Sequence, residues 1–134
     1  MNAPAPVEGM HVVETRQPVP EALDRLEKLA RDKGLTIFAR IDFSGDAARA
    51  GLTMRPTGMT ILGNPKGGTP LMVAAATTAI DLPLKVLAWE DEGGRRWLAY
   101  NEPAYLQKRH GFPPELMRNI AALAALVEAA AGTA

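Results

Sequence analysis

The chain reads as an α+β domain: a mainly antiparallel sheet with helices packed on one face. Three observations predict this. Leu35, Ile37, Ala39, Ile41 and Phe43 alternate as a strand with one apolar face. Asp91-Glu92-Gly93-Gly94 lies between two strand-like runs, which is a hairpin signal. Apolar residues recur at helical spacing near both ends, at Ala22, Leu23, Leu26, Leu29 and Ala30 and again at Leu116, Ile120, Leu123 and Val127.

The elements follow in order. Residues 1–9 carry two Ala-Pro pairs and Glu8-Gly9, the composition of a flexible arm; residues 10–134 form one domain. A short strand is predicted over 10–15, then a helix over 21–33, introduced by Pro18 and Pro20 and ended by Gly34. The alternating strand over 35–43 leads to a short helix over 46–50, with Ser44 as its cap and Gly51 as its stop. A strand over 54–62, weakened early by Pro56, runs into Gly63-Asn64-Pro65-Lys66-Gly67-Gly68-Thr69-Pro70. A helix is predicted after this loop, over 71–79, and Asp81-Leu82-Pro83 breaks it. The hairpin strands cover 84–90 and 96–100, and Trp89 and Trp97 can pair across them. A short helix over 104–109 stops at Gly111, and Pro113-Pro114 opens a last helix whose alanines suit close packing on the sheet or on a second subunit. The order is β-α-β-α-β-α-β-β-α-α, with no repeat.

Composition excludes several classes of function. The 134 residues fit one domain able to bury a core. With 15 basic and 15 acidic residues the formal net charge is zero, against broad binding to nucleic acid. The absence of Cys removes disulfides, thiolate metal sites and Cys nucleophiles, and two His are too few for a His-only metal cluster. The apolar runs are shorter than a membrane span, and the first residues lack the pattern of a signal peptide, so a cytoplasmic location is the expectation.

Two polar groups are candidates for a site. Asn64, Lys66 and Thr69 can orient a small polar or anionic ligand at a helix start, with the glycines allowing close approach; Asn64 can equally serve as a helix cap in a plain turn. A helix end adds only about 0.3–1 kcal/mol for an exposed anion, so other groups must converge. The loop lacks the Gly-Lys-Ser/Thr ending of a nucleotide loop. Tyr100, Asn101, Tyr105, Arg109 and His110 form the second group. Arg109 can hold an anion in two bonds and His110 can move a proton; the alternative has Asn101 as a cap, Tyr105 as core and Arg109 with His110 answering the helix dipole.

Three segments together resemble the domain of unknown function 302 family: Gly63–Met72; Asp81–Leu87 with Trp89-Glu90-Asp91; and Tyr100–Leu106 with Arg109-His110. The resemblance covers roughly residues 12–130. It implies an α+β domain with a TATA-binding-protein-like arrangement, often dimeric, and no established activity. DNA binding does not transfer with the fold name. Family members often carry His after the Asp of the second strand; Phe43 stands there, so chemistry built on that His does not carry over.

The leading expectation is a binding domain, a homodimer, with Asn64, Lys66 and Thr69 facing Tyr100, Asn101, Arg109 and His110 across one pocket. The alternatives are an enzyme using His110 as general acid or base with Arg109 or Lys66 stabilising charge, and a structural interaction domain. No metal site and no particular cofactor is expected, nor a nucleic-acid or membrane partner.

Overall fold

Alternation and turn chemistry build a five-stranded antiparallel sheet. The computed structural model describes residues 3–132. The strands are β1 (Met10–Thr15), β2 (Thr36–Asp42), β3 (Thr57–Gly63), β4 (Leu84–Glu90) and β5 (Arg96–Asn101), in the spatial order β1-β5-β4-β3-β2. All neighbours are antiparallel, and Trp89 lies opposite Trp97 in the β4–β5 hairpin. Asp91 closes that hairpin: its carboxylate accepts from the Gly93 and Arg95 amides and from the Trp97 indole, each near 2.9–3.0 Å.

Among the described residues five α-helices accompany the sheet: α1 (Val19–Asp32), α2 (Phe43–Arg49), α3 (Pro65–Ala74), α4 (Pro103–His110) and α5 (Ala122–Ala131). Two 3-10 segments, Ala76–Ile80 and Pro114–Ile120, lie after α3 and before α5. Leu23, Leu26 and Ala30 of α1 and Leu123, Val127 and Ala130 of α5 bury against Leu62, Val86, Ala88 and Leu98 of the sheet. That is one face of the sheet; of the α5 alanines Ala130 and Ala131 are buried there, while Ala122, Ala125 and Ala129 are exposed. A second cluster, Leu71, Leu106, Phe112 and Ile120, joins α3, α4 and the second 3-10 segment.

Several helix boundaries differ from the sequence expectation, among them α2, which begins at Phe43 rather than Asp46. Helix α3 begins at Pro65, inside the expected loop, because Asn64 caps it and a proline at the first helical position has no N–H to lose. Residues 76–80, expected to continue a helix over 71–79, form a separate 3-10 turn after extended Ala75. The last helix is divided: 114–120 is 3-10, and α5 begins at Ala122. At α2 the cap is Asp42, whose carboxylate accepts from the Gly45 amide; Ser44 instead bonds the Thr57 backbone. The flexible arm expected over 1–9 begins with two residues outside those described, and the last two of the 10–134 domain are outside them too.

Candidate functional site

The start of α3 borders a cavity of about 180 Å³. The sequence makes it by setting small residues where bulk would fill it: Gly63 ends β3, and Gly68 lies on the facing turn of α3. Phe38, Leu62, Met72, Leu82, Leu84 and Leu123 give it chiefly apolar walls. Leu82-Pro83, a cis peptide bond, forms part of one wall. Asn64, Thr69 and Asn119 supply the polar side chains. An apolar pocket with a few polar groups is the usual form of a small-molecule site.

The amides at the start of α3 have partners. Lys66 N donates to Asn64 Oδ1 at 2.9 Å, and Gly67 N and Gly68 N donate to Asn64 O at 2.9 and 2.8 Å. One residue thus satisfies the first-turn donors that an anion would use. Lys66 is exposed and does not line the cavity. Gly67 has a packing role: its carbonyl accepts from Asn119 Nδ2 at 3.1 Å, and a Cβ there would lie 2.9 Å from the Asn119 carbonyl oxygen.

The second group lies elsewhere. Arg109 and His110 border a separate shallow depression with Thr77 and Ile80. Tyr100 is buried in the first core cluster, its ring 5.5 Å from that of His11. Burial is the main cause that raises its phenol pKa, with Glu102 and Glu128 adding to it. Asn101 ends β5 opposite Met10, and Tyr105 packs on the second cluster and under Gly9. The structure therefore brings Asn64 together with Thr69, and Arg109 together with His110, in two depressions rather than one shared pocket.

Asp81, which in the sequence marks only a helix break, organises the second depression. Its Oδ2 accepts from His110 Nε2 at 2.5 Å and from Arg109 Nη1 at 3.0 Å. With the Nε2 proton directed at the carboxylate, His110 Nδ1 accepts from the Thr77 hydroxyl at 2.9 Å. The His110 side chain is only 4% exposed, so the ring is a buried link and not a free base. The chain tying α4 to the first 3-10 segment spans 28–33 residues of sequence, and no local pattern marks it. Among the described residues no group of three or more His, Cys, Asp or Glu could hold a metal ion, and no helix is long and apolar enough to cross a membrane.

Comparison with known proteins adds a family and a fold. The family described as domain of unknown function DUF302 matches residues 11–130. A crystal structure of an uncharacterised conserved DUF302 protein from Bacillus stearothermophilus is similar with a TM-score of 0.76 at 17% identity, over 93% of this chain and 97% of that one. Proteins named fluoride-specific ion channel FluC 1, from Brucella suis and Brucella abortus, are each 43% identical over 102 residues, 76% of this chain. The match spans only 40% and 38% of those relatives' length.

Proposed function

The chain belongs to the DUF302 family, and from that premise we propose that it is a ligand-binding domain that works as a homodimer. One observation carries the reading: an apolar cavity with a polar rim at the start of α3. The ligand it suits is a small, chiefly apolar molecule with one polar end, which Asn64, Thr69 and Asn119 would orient. This moves the ligand class away from a free anion, because the α3 amides already donate to Asn64. Arg109 and His110 act in this reading as a clamp on Asp81 and not as ligand contacts. An enzymatic role for His110 gains no support, since both ring nitrogens are engaged.

The channel relatives bear on the setting. A similar segment occurs within proteins named for fluoride transport, and a companion binding domain is compatible with that. Fluoride itself is a poor match for the cavity: a strongly hydrated anion needs donors or cations, and these walls are mainly leucine, methionine and phenylalanine.

The test is a thermal-shift and calorimetric screen of short-chain alcohols, amides and carboxylic acids against sodium fluoride and phosphate. Binding by an amphipathic compound that Ala122→Phe abolishes, by filling the cavity, and Thr69→Val weakens about tenfold, as loss of one hydrogen bond does, is the expected result. Binding that both variants leave unchanged overturns the reading.

A further inference from the structure

We propose that the cavity at the start of α3 takes a neutral aromatic compound of one ring bearing a hydroxyl group, a phenol or a benzyl alcohol. The proposal rests on the ligand-binding reading above and names the ligand class. Size sets the first limit. An apolar cavity of roughly 150 Å³ is enough for benzene. The volume here is about 180 Å³, room for one six-membered ring and a short substituent.

The walls favour an aromatic ring over a saturated one. Among the described residues Phe38 is the one aromatic side chain that lines the cavity, and Met72 the one thioether. Phe38 reaches the cavity through a break in its strand. On the edge strand β2, Ile37 lies opposite Leu62 and Ala39 opposite Ile61, so Phe38 is the extra residue of a bulge. A bulge at a sheet edge re-aims a side chain out of the regular alternation. A Cβ added to Gly63 would lie 3.8 Å from Phe38 Cε2, which places the ring beside that glycine at the cavity wall. Yet Phe38 is 49% exposed, whereas its neighbours Leu62 and Leu123 in the same wall are buried. A ligand ring can meet it in an offset or edge-on contact, and the Met72 sulfur can add a thioether contact to the same ring. A saturated ring of equal size fills the volume but gains less from both.

The polar side chains choose the substituent. Asn119 Nδ2 donates to the Gly67 carbonyl at 3.1 Å, which fixes the amide and leaves Oδ1 to accept. Asn64 Oδ1 accepts from the Lys66 amide at 2.9 Å, which leaves Nδ2 to donate. A hydroxyl both donates and accepts, so it can answer either amide. A carboxylate only accepts. It would also bury its charge without a counter-ion, because no Lys, Arg or His lines the cavity among the described residues.

Titration calorimetry of the full chain tests the proposal with matched compounds: phenol against cyclohexanol, and benzyl alcohol against cyclohexylmethanol and benzoate. Each aromatic alcohol is expected to bind about tenfold more tightly than its saturated partner, the upper range of one ring–ring contact. Benzoate is expected to bind at least about tenfold more weakly than benzyl alcohol. Phe38→Leu should leave the cyclohexanol affinity unchanged and reduce the aromatic preference to about threefold or less, since the thioether contact alone remains. A second measurement uses the unmodified chain with isotope-labelled methionine methyl groups. Phenol should move the Met72 signal, assigned by its loss in Met72→Leu, upfield through its ring current, and cyclohexanol should not. Equal binding of aromatic and saturated partners, or a Met72 signal that phenol leaves in place, overturns the ring assignment and leaves the ligand-binding reading standing. Benzoate that binds as tightly as benzyl alcohol overturns the hydroxyl. A preference that Phe38→Leu does not reduce overturns the role of Phe38. Binding by none of these compounds overturns the whole class, and only failure across the wider screen of alcohols, amides and acids overturns the ligand-binding reading as well.

Discussion

Asp91 shows how much one side chain can organise when its acceptors all have donors. Its two oxygens receive two backbone amides of the hairpin turn and the indole of Trp97. The indole bond is the largest cause holding its pKa below the usual 3.8, with the Arg95 and Gly93 amides adding to it. The sign follows from linkage. A carboxyl whose folded pKa is depressed contributes stability that is present above 3.8 and is lost as the pH falls from there through the lower folded value. Asp42, held down chiefly by the Gly45 amide, and Glu14, held down chiefly by Arg95, add to the same acid-side loss. Asp91→Asn keeps an acceptor for the turn amides but sets an amide group against the indole N–H. Thermal melting against pH should show a lower melting temperature at neutral pH and a shallower loss below 3.8 than in the unmodified chain. Parallel profiles would mean that Asp91 does not carry the difference.

Glycine decides the element that borders the cavity, and two neighbouring glycines should answer the same substitution with opposite sign. Alanine favours a helix over glycine by roughly 0.5–1 kcal/mol. At Gly68 an added Cβ would lie 3.6 Å from Leu82 Cδ1, ordinary contact, so Gly68→Ala should stabilise by about that amount. At Gly67 the same Cβ would lie 2.9 Å from the Asn119 carbonyl oxygen, and the Asn119 amide bond to Gly67 would be strained. Overpacking of this kind costs about 1–3 kcal/mol and exceeds the propensity gain, so Gly67→Ala should destabilise. Urea unfolding of both variants measures the contrast; two shifts of the same sign would refute it. The same element shows what was legible in the sequence. The hairpin and the α+β class rest on local alternation and turn residues, and the structure has them; the single apolar face expected over 35–43 does not hold, because a bulge between Ile37 and Ala39 leaves Leu35 and Ile37 on the core and turns Ile41 to the other face, and Phe43 opens α2. Helix α3 was hidden because Gly67, Gly68 and an internal Pro70 all disfavour a helix, and what supports it is Asn64 before it and Asn119 some fifty residues later. The link from Asp81 to Arg109 and His110 was equally hidden, since its two ends are separated by a hairpin and a helix. For the candidate site, the loop drew attention to Asn64 and Thr69, while the apolar walls came from four other elements.

At the scale of the whole molecule, the described residues form two hydrophobic clusters, and Leu84 packs against both. It also lines the cavity, so the candidate ligand site lies at the joint between the sheet core and the α3–α4 cluster. A ligand held there would touch both and bind them together, and a truncated Leu84 would do the reverse. Replacing a largely buried leucine by alanine costs about 2–5 kcal/mol, with the lower end expected where water already reaches the side chain. Leu84→Ala should therefore lose about 2 kcal/mol and, unlike a loss within one cluster, should weaken the coupling between them. The chain offers a direct readout. Its two tryptophans, Trp89 and Trp97, both lie on the β4–β5 hairpin, whereas α3 and α4 contribute only to the far-ultraviolet dichroism. In the unmodified chain, urea transitions followed by tryptophan emission and by dichroism at 222 nm, the usual helix band, should coincide, as cooperative unfolding requires. In Leu84→Ala the dichroism transition should begin at lower urea than the emission transition, because the α3–α4 cluster opens while the sheet holds. Coincident transitions in the variant would show that the two clusters are coupled by contacts other than Leu84.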